Sequence, residues 1–214
     1  MYRKYIKRLI DFILSVMTVT VLLPVYGILA LVVRVIIGKP ILFSQERTTL
    51  NGRKFRIHKF RTMNEQKDEN GNYLPDDVRL TPVGRVLRAT SLDELPEIFA
   101  IVSGNMSIIG PRPLPAEYDA YYTEREKSRF NVRAGLIPPE VLYKNIQPTW
   151  TQQLEYERAY AENVTFLMDI KILYSVILGL FKRYNCDYGE YVRESLSEER
   201  KGELLKDESV NTSA

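Results

Sequence analysis

The chain has 214 residues, with 30 Lys and Arg against 27 Asp and Glu, for a net charge of +3. That length buries a core without a metal or disulfide staple, and the single Cys186 excludes an intramolecular disulfide framework and a Cys-rich zinc site and fits a reducing compartment. The charge excess is too small to point to nucleic acid; it is also unevenly spread, with an apolar, basic first quarter and a polar, charged last 30 residues.

Arg3, Lys4, Lys7 and Arg8 precede 22 residues, Phe12 to Val33, that carry no charge; about 20 suffice to span a bilayer core as a helix. A signal peptide has a shorter apolar region, about 7–15 residues, and a small-residue cleavage site. Here Arg34 and more apolar residues follow, so the segment reads as a retained anchor. Its topology stays open on these residues. Pro24 removes a backbone hydrogen bond and kinks or breaks a helix. Lys39, Arg47, Arg53, Lys54 and Arg56 follow Arg34 on the far flank, and basic flanks prefer the cytoplasmic side. A helix that enters, breaks at Pro24 and returns keeps both flanks on one side; a kinked single-pass helix does not.

Ile41–Glu46 and Lys54–Phe60 read as strands joined at Asn51-Gly52, a turn pair that favours positive φ. In the second strand Phe55 and Ile57 alternate with Lys54 and Arg56. Met63–Asp77 is polar with Gly and Pro and reads as a surface loop. Thr81-Pro82 is a helix start, N-cap then first-turn proline, with Val83, Val86 and Leu87 on one face. Ser91–Val102 is a second helical stretch, Gly104–Pro115 a rigid loop, and Glu117–Phe130 a charged helix. Thr165–Arg183 is strongly apolar but contains Asp169 and Lys171, which fits a core or interfacial helix better than a spanning one. After Asp187 the chain reads as a mobile or weakly helical tail.

Reactive groups are densest between Arg85 and Glu97. Asp93 and Glu94 follow Arg85 and Arg88 at a helix start, where the positive end of the helix dipole keeps a carboxylate ionised. Such a carboxylate can attack phosphorus or ligate a hard cation, and its neighbour can bind the metal or accept a proton. Ser91-x-x-Glu94 is equally a capping box. Pro96 opposes that reading, and a start at Leu95 frees both acids. Arg112 between Pro111 and Pro113 is held extended, which suits a phosphate clamp or an exposed turn. Lys59 and Arg61 end the hairpin with Thr62, as a cationic site or a solvated strand end. His58 is the only histidine; it is assigned no role, and it excludes a histidine-cluster metal site. No P-loop or GxGxxG run occurs. Cations, paired carboxylates and a membrane segment together suit joining a soluble phosphate ester to a lipid phosphate.

These runs resemble a known family. Lys59-Phe-Arg61-Thr-Met63, Leu80-Thr-Pro-Val-Gly-Arg85-Val-Leu-Arg88, Thr90-Ser-Leu-Asp93-Glu94-Leu-Pro96, Asn105 to Pro113 and Asp169-Ile-Lys-Ile are similar to the bacterial sugar transferases, the monotopic polyprenyl-phosphate phosphoglycosyltransferases, and most of all to their small PglC type. The resemblance implies a mostly α fold with a small β-hairpin, a re-entrant helix over 1–38 breaking near Pro24, amphipathic interfacial helices, a cytoplasmic-face catalytic domain over 39–185 and a charged tail over 186–214.

It also implies a reaction at the bacterial inner membrane. Asp93 would attack the β-phosphate of a UDP-sugar, release UMP and form an aspartyl-phosphosugar. Polyprenyl (undecaprenyl) phosphate would then accept the phosphosugar as the first membrane step of glycan assembly. Asp93 and Glu94 would hold Mg2+, and Glu94 would assist the acceptor. Arg112 would meet the donor phosphates and Arg88 the acceptor phosphate, with Lys59 and Arg61 nearby. Asp169 would orient active-site cations. Downstream glycosyltransferases would be partners. One stretch departs. Where the family reads Arg-Pro-Gly-hydrophobic-Thr-Gly and then Gln-Val-Asn-Gly-Arg, this chain has Arg133-Ala-Gly-Leu-Ile-Pro138-Pro139-Glu-Val-Leu-Tyr-Lys144-Asn. With Asp93 and Glu94 intact, the 133–145 departure implies a shifted sugar preference. The alternative is a non-catalytic membrane scaffold of the same family that recruits glycosyltransferases.

Overall fold

The computed structural model describes residues 1–143, 148–182 and 195–201. Residues 144 and 145 of the divergent stretch, Arg183, and 186–194 and 202–214 of the tail lie outside them. The chain divides into two compact units, one formed by Met1, 3–47 and 54–108, the other by Tyr2, 48–53 and the residues from 109 onward.

In the first unit a π-helical turn, Tyr2–Ile6, runs into helix α1, Lys7–Ile36. It is followed by β1 (Leu42–Thr48), β2 (Lys54–Phe60), a short α2 (Asp76–Arg79), α3 (Pro82–Ala89), a 3-10 helix (Leu92–Glu97), α4 (Ile98–Val102) and β3 (Met106–Ile109). Helix α1 continues without interruption through Pro24, so the expected break is not there. The reason is a buried stripe on both sides of the proline. Asp11 and Ser15 precede it; Tyr26, Leu29 and Val33 follow it, at the three- and four-residue spacing of one helix face. Val33 is fully buried with Phe60 and Leu87, while Val21, Leu23, Ile28 and Leu31 remain exposed. The helix is long and apolar enough to cross a membrane.

Polar anchors fix α1 to its unit. The Arg8 guanidinium donates to the Ile101 and Val102 carbonyls at 2.6 and 2.8 Å, tying the start of α1 to the last carbonyls of α4. Buried Asp11 accepts from the Ser107 hydroxyl (2.6 Å) and the Ile108 amide (3.1 Å). The Tyr26 hydroxyl donates to the Leu95 carbonyl at 2.8 Å.

The hairpin forms at the expected turn. Asn51 and Gly52 both have positive φ, 58° and 72°, as that turn chemistry requires. Phe55 and Ile57 are buried and Lys54 and Arg56 exposed. Thr81 caps α3, its hydroxyl accepting from the Gly84 amide at 2.9 Å. Val86, however, is 60 % exposed. Gly84 rests on the β2 end, and at about 100° per residue that contact rotates Val83, Gly84 and Leu87 inward and Val86 out.

The second unit contains two 3-10 segments (Ala116–Tyr121 and Glu126–Asn131), strand β4 (Ala134–Ile137), a 3-10 turn (Pro139–Leu142), α5 (Trp150–Glu162) and α6 (Phe166–Lys182). The single helix expected over 117–130 is thus two short 3-10 pieces. Thr123 and Glu126 cap each other reciprocally there, at 2.8 and 3.3 Å, starting a new segment mid-stretch. The expected loop over 104–115 likewise contains β3. Helix α5, which the sequence reading left unassigned, starts with a Thr149–Gln152 capping box. Helix α6 buries Asp169 and Ile172 and exposes Phe166, Leu167, Ile170, Tyr174, Ile177 and Leu178.

Leu114, Tyr122, Trp150, Leu154 and Leu196 form this unit's core. Leu196 belongs to a helical turn over 195–201 and is fully buried, and Arg200 pairs with Glu126 at 2.8 Å. Leu196→Ala should therefore destabilise the protein by roughly 2–5 kcal/mol. Thermal unfolding of the purified protein measures it; an unchanged midpoint would show that this turn contributes nothing.

Candidate active site

The end of β2 organises the first unit's cavity. The Thr62 carbonyl accepts from the Thr81 amide at 3.2 Å and its hydroxyl at 3.0 Å. A Cβ on Gly84 would lie 1.9 Å from that same carbonyl oxygen, so only glycine lets α3 approach this closely. The approach brings Arg88 to Thr62, with Nε donating to the hydroxyl at 3.1 Å.

After α3 the chain turns at Ser91, whose φ of 56° lies in the left-handed region. The Ser91 side chain makes no capping bond, so the capping-box reading of Ser91 and Glu94 does not hold. The helix begins at Leu92, three residues before the expected Leu95 start, as a 3-10 turn that accommodates Pro96. Glu94 instead pairs with the Lys59 ammonium at 2.6 Å, and buried Glu97 takes the same ammonium at 3.2 Å. Asp93 is buried beside them. Burial pushes its carboxyl above the ordinary aspartate range and the Glu94 charge adds to that, while Lys59 and Arg88 oppose it. Desolvation thus works against the helix-start effect that favours the ionised carboxylate, and it is the larger influence.

These groups open onto a cavity of about 690 Å³ lined by Lys59, Arg61, Thr62, Arg88, Asp93 and Glu94, within the size range of small-molecule sites. The loop after Met63 supplies a further wall, with Asn64, Glu65, Tyr73, Asp76 and Arg79. Bridges Met63–Leu80 and Lys67–Tyr73 fold that loop into an antiparallel arm, and the Arg79 guanidinium covers the Tyr73 ring at 4.9 Å. Arg61 serves mainly as a brace: it donates to the Met63 carbonyl at 2.8 Å and the Lys39 carbonyl at 2.5 Å.

Arg112 and Asp169 belong to the second unit. Gly110 and Gly135 pack backbone to backbone, leaving no room for a Cβ on either, and the Gly135 amide donates to the Pro111 carbonyl at 2.8 Å. Arg112 stands exposed on this rigid run. Its amide donates to Glu157 Oε1 at 3.1 Å and its carbonyl accepts from Arg129 at 2.6 Å. Asp169 is buried, accepting from the Tyr2 hydroxyl at 2.5 Å and the Tyr160 hydroxyl at 2.7 Å.

The bacterial sugar transferase family matches residues 2–183. The chain belongs to that family. It is 41% identical over 142 residues to the uncharacterized sugar transferase EpsL of Bacillus subtilis (strain 168), which covers 66% of this chain and 70% of that one. It is 30% identical over 188 residues to the UDP-glucose:undecaprenyl-phosphate glucose-1-phosphate transferase of Klebsiella pneumoniae. The protein of that name from Caulobacter vibrioides is 36% identical over 135 residues. This chain is matched over 83% and 61% of its own length by these two, and spans 40% and 51% of theirs.

Within this bacterial sugar transferase, sequence reasoning identified Lys59, Arg61, Arg88, Asp93 and Glu94, which share the one cavity. It missed Glu97, for which the Lys59 alternation at the strand end was no signal. It also missed Arg129, Glu157 and Glu140. Glu140 Oε2 is buried without a hydrogen-bond partner, and burial, with Glu157 next, pushes its carboxyl up to about 7.

Two outcomes follow from these packings. Gly84→Ala should lower stability by roughly 1–3 kcal/mol or more, since backbone must shift; a denaturant titration reports it, and a wild-type midpoint would contradict the contact. Because Glu140 is raised in the folded state, its favourable contribution is lost as pH rises from the ordinary glutamate range through about 7. Glu140→Gln should therefore flatten the fall in melting temperature between pH 5 and 8, and an unaltered slope would show that Glu140 is not the titrating group.

Proposed function

We propose that this chain transfers a sugar phosphate from a UDP-sugar to a polyprenyl phosphate such as undecaprenyl phosphate at the cytoplasmic face of a bacterial membrane. The observation that carries the reading is a single cavity in which buried Asp93 and Glu94 lie among Lys59, Thr62 and Arg88, in a family whose relatives carry that activity in their names. An Asp93 oxygen attacks the β-phosphorus of the donor. The bond from that phosphorus to the bridging oxygen breaks, and its electron pair leaves with UMP. The acceptor phosphate oxygen then attacks the same phosphorus, and the bond to Asp93 breaks, restoring the carboxylate.

Arg88, fixed by Thr62, receives the acceptor phosphate. Lys59 sets the Glu94 carboxylate, which takes the proton of the acceptor if that phosphate arrives protonated. Arg112 is assigned to the donor diphosphate by its motif, and Asp169 braces α6 through Tyr160. Among the described residues no group of three or more acidic, His or Cys ligands could hold a metal. Two adjacent carboxylates still fit Mg2+, which binds through one or two such groups together with substrate phosphates and water. Held by Asp93 and Glu94, Mg2+ would neutralise diphosphate charge.

One feature of α1 supports a membrane arrangement: Arg8 and Asp11 near its start and Val33 near its end are fixed to one folded unit. A simple crossing would draw that polar unit through the bilayer, and the unbroken helix has no point at which to turn back, so our reading lays α1 along the interface with both flanks on one side, and the apolar stripe of α6 in the interface too. Product leaves in the membrane, where glycosyltransferases extend it.

Incubated without acceptor, the wild-type protein should retain label from a UDP-sugar labelled in the β-phosphate, and Asp93→Asn should retain none. Trials begin with UDP-glucose and UDP-N-acetylgalactosamine, donors named for relatives. Normal labelling of the variant would remove Asp93 as the nucleophile.

A further inference from the structure

Arg112 lies between two prolines, so the Pro111-to-Pro113 run offers one backbone N–H, that of Arg112 itself. That donor and the Arg112 carbonyl are both taken by one buried ion pair. Glu157 Oε1 accepts from the Arg112 amide at 3.1 Å, and Arg129 Nη2 donates to the Arg112 carbonyl at 2.6 Å. Arg129 Nη2 and Glu157 Oε2 meet at 2.7 Å with side chains 3% and 0% exposed. Further contacts leave the pair little freedom. Gln153 donates to Glu157 Oε1 at 3.1 Å, and Arg129 Nη1 donates to the Tyr122 hydroxyl at 2.7 Å. The guanidinium also lies over the Tyr122 and Phe130 rings at 5.1 and 5.5 Å.

Stability alone does not account for this arrangement. A buried ion pair contributes little over apolar residues of similar volume, because desolvation offsets the attraction. What it adds is direction, since a planar guanidinium and a carboxylate fix the atoms they bond within narrow angles. Here the bonded atoms are the peptide that carries an exposed arginine.

We propose that Arg129 and Glu157 are positioning residues that grip the Arg112 peptide from both sides and so fix the backbone that carries the guanidinium assigned to the diphosphate of the nucleotide donor. This rests on the donor role given to Arg112 above. The pair touches no substrate; it acts through Arg112 by removing the freedom that binding would otherwise have to remove.

The experiment replaces both charges at once, Arg129→Met with Glu157→Leu, in the full chain, and titrates UDP in the presence of magnesium. The melting temperature should hold within a few degrees or rise, while the Kd for UDP weakens about tenfold. With any UDP-sugar the wild type turns over, KM should rise by a similar factor and kcat by less than threefold in either direction. Arg112→Ala should weaken UDP at least as much, and adding it to the double replacement should have no further effect. A folded double variant that binds UDP as the wild type does overturns the proposal. Should that variant not fold, Arg129→Lys decides: it keeps the charge but cannot fork to Glu157, Tyr122 and the Arg112 carbonyl together. A threefold or greater loss of UDP affinity supports the grip, and wild-type affinity overturns it. Loss with Arg112→Ala but not with the pair removes only this inference, whereas no loss with Arg112→Ala removes the donor role of Arg112 and this inference with it.

Discussion

The Thr62 carbonyl is the acceptor around which the first unit's chemistry is arranged. It closes β2, receives both donors of Thr81 and leaves no space for a side chain at position 84. Moving it would shift the start of α3, and with it Arg88 at the far end of that helix and the left-handed turn at Ser91 that delivers Asp93. The glycine in the first turn of an eight-residue helix carries a propensity penalty of at most about 1 kcal/mol. Its close approach to the strand end outweighs that penalty, because no larger residue would let the helix seat.

Much of this was legible beforehand, for physical reasons. The Asn51-Gly52 pair requires positive φ and marks a hairpin. Thr81-Pro82 leaves few alternatives to a helix start. The five cavity residues were named because the short runs that carry them resemble those of a known family; their composition alone left bland readings open. Other features had no local signature. Whether Val86 faces inward depends on where Gly84 rests, which is a tertiary fact. The helical break expected at Pro24 did not occur because buried contacts on both sides carry the helix through. The upward push on the Asp93 carboxyl had no local signature, because a sequence shows a helix start but not the depth at which it is buried. Arg129 and Glu157 lie 28 residues apart in ordinary charged stretches, and nothing in either stretch says that they meet.

The two units treat buried charge differently. In the first, acids and bases line a cavity open to ligands, and their balance is one that a charged substrate would alter. In the second, Arg129 and Glu157 are closed off and neutralise each other, with Glu140 left beside them lacking a partner for one oxygen. The first arrangement suits groups that must change partners during a reaction; the second suits groups that must not. Helix α1 shares this closed character, because Asp11 is satisfied by a hydroxyl and an amide of its own unit.

Lys59 sits between Glu94 and Glu97, and that arrangement has a bearing on turnover. A lone lysine–glutamate pair would leave a bare ammonium in a low-dielectric recess each time the glutamate was recruited elsewhere. With a second, deeper carboxylate already in reach, the ammonium can lean back as Glu94 departs and return when it is released. Glu97, the more deeply buried of the two acids, thus keeps the ammonium paired inside the recess, while Glu94 meets it from the cavity side.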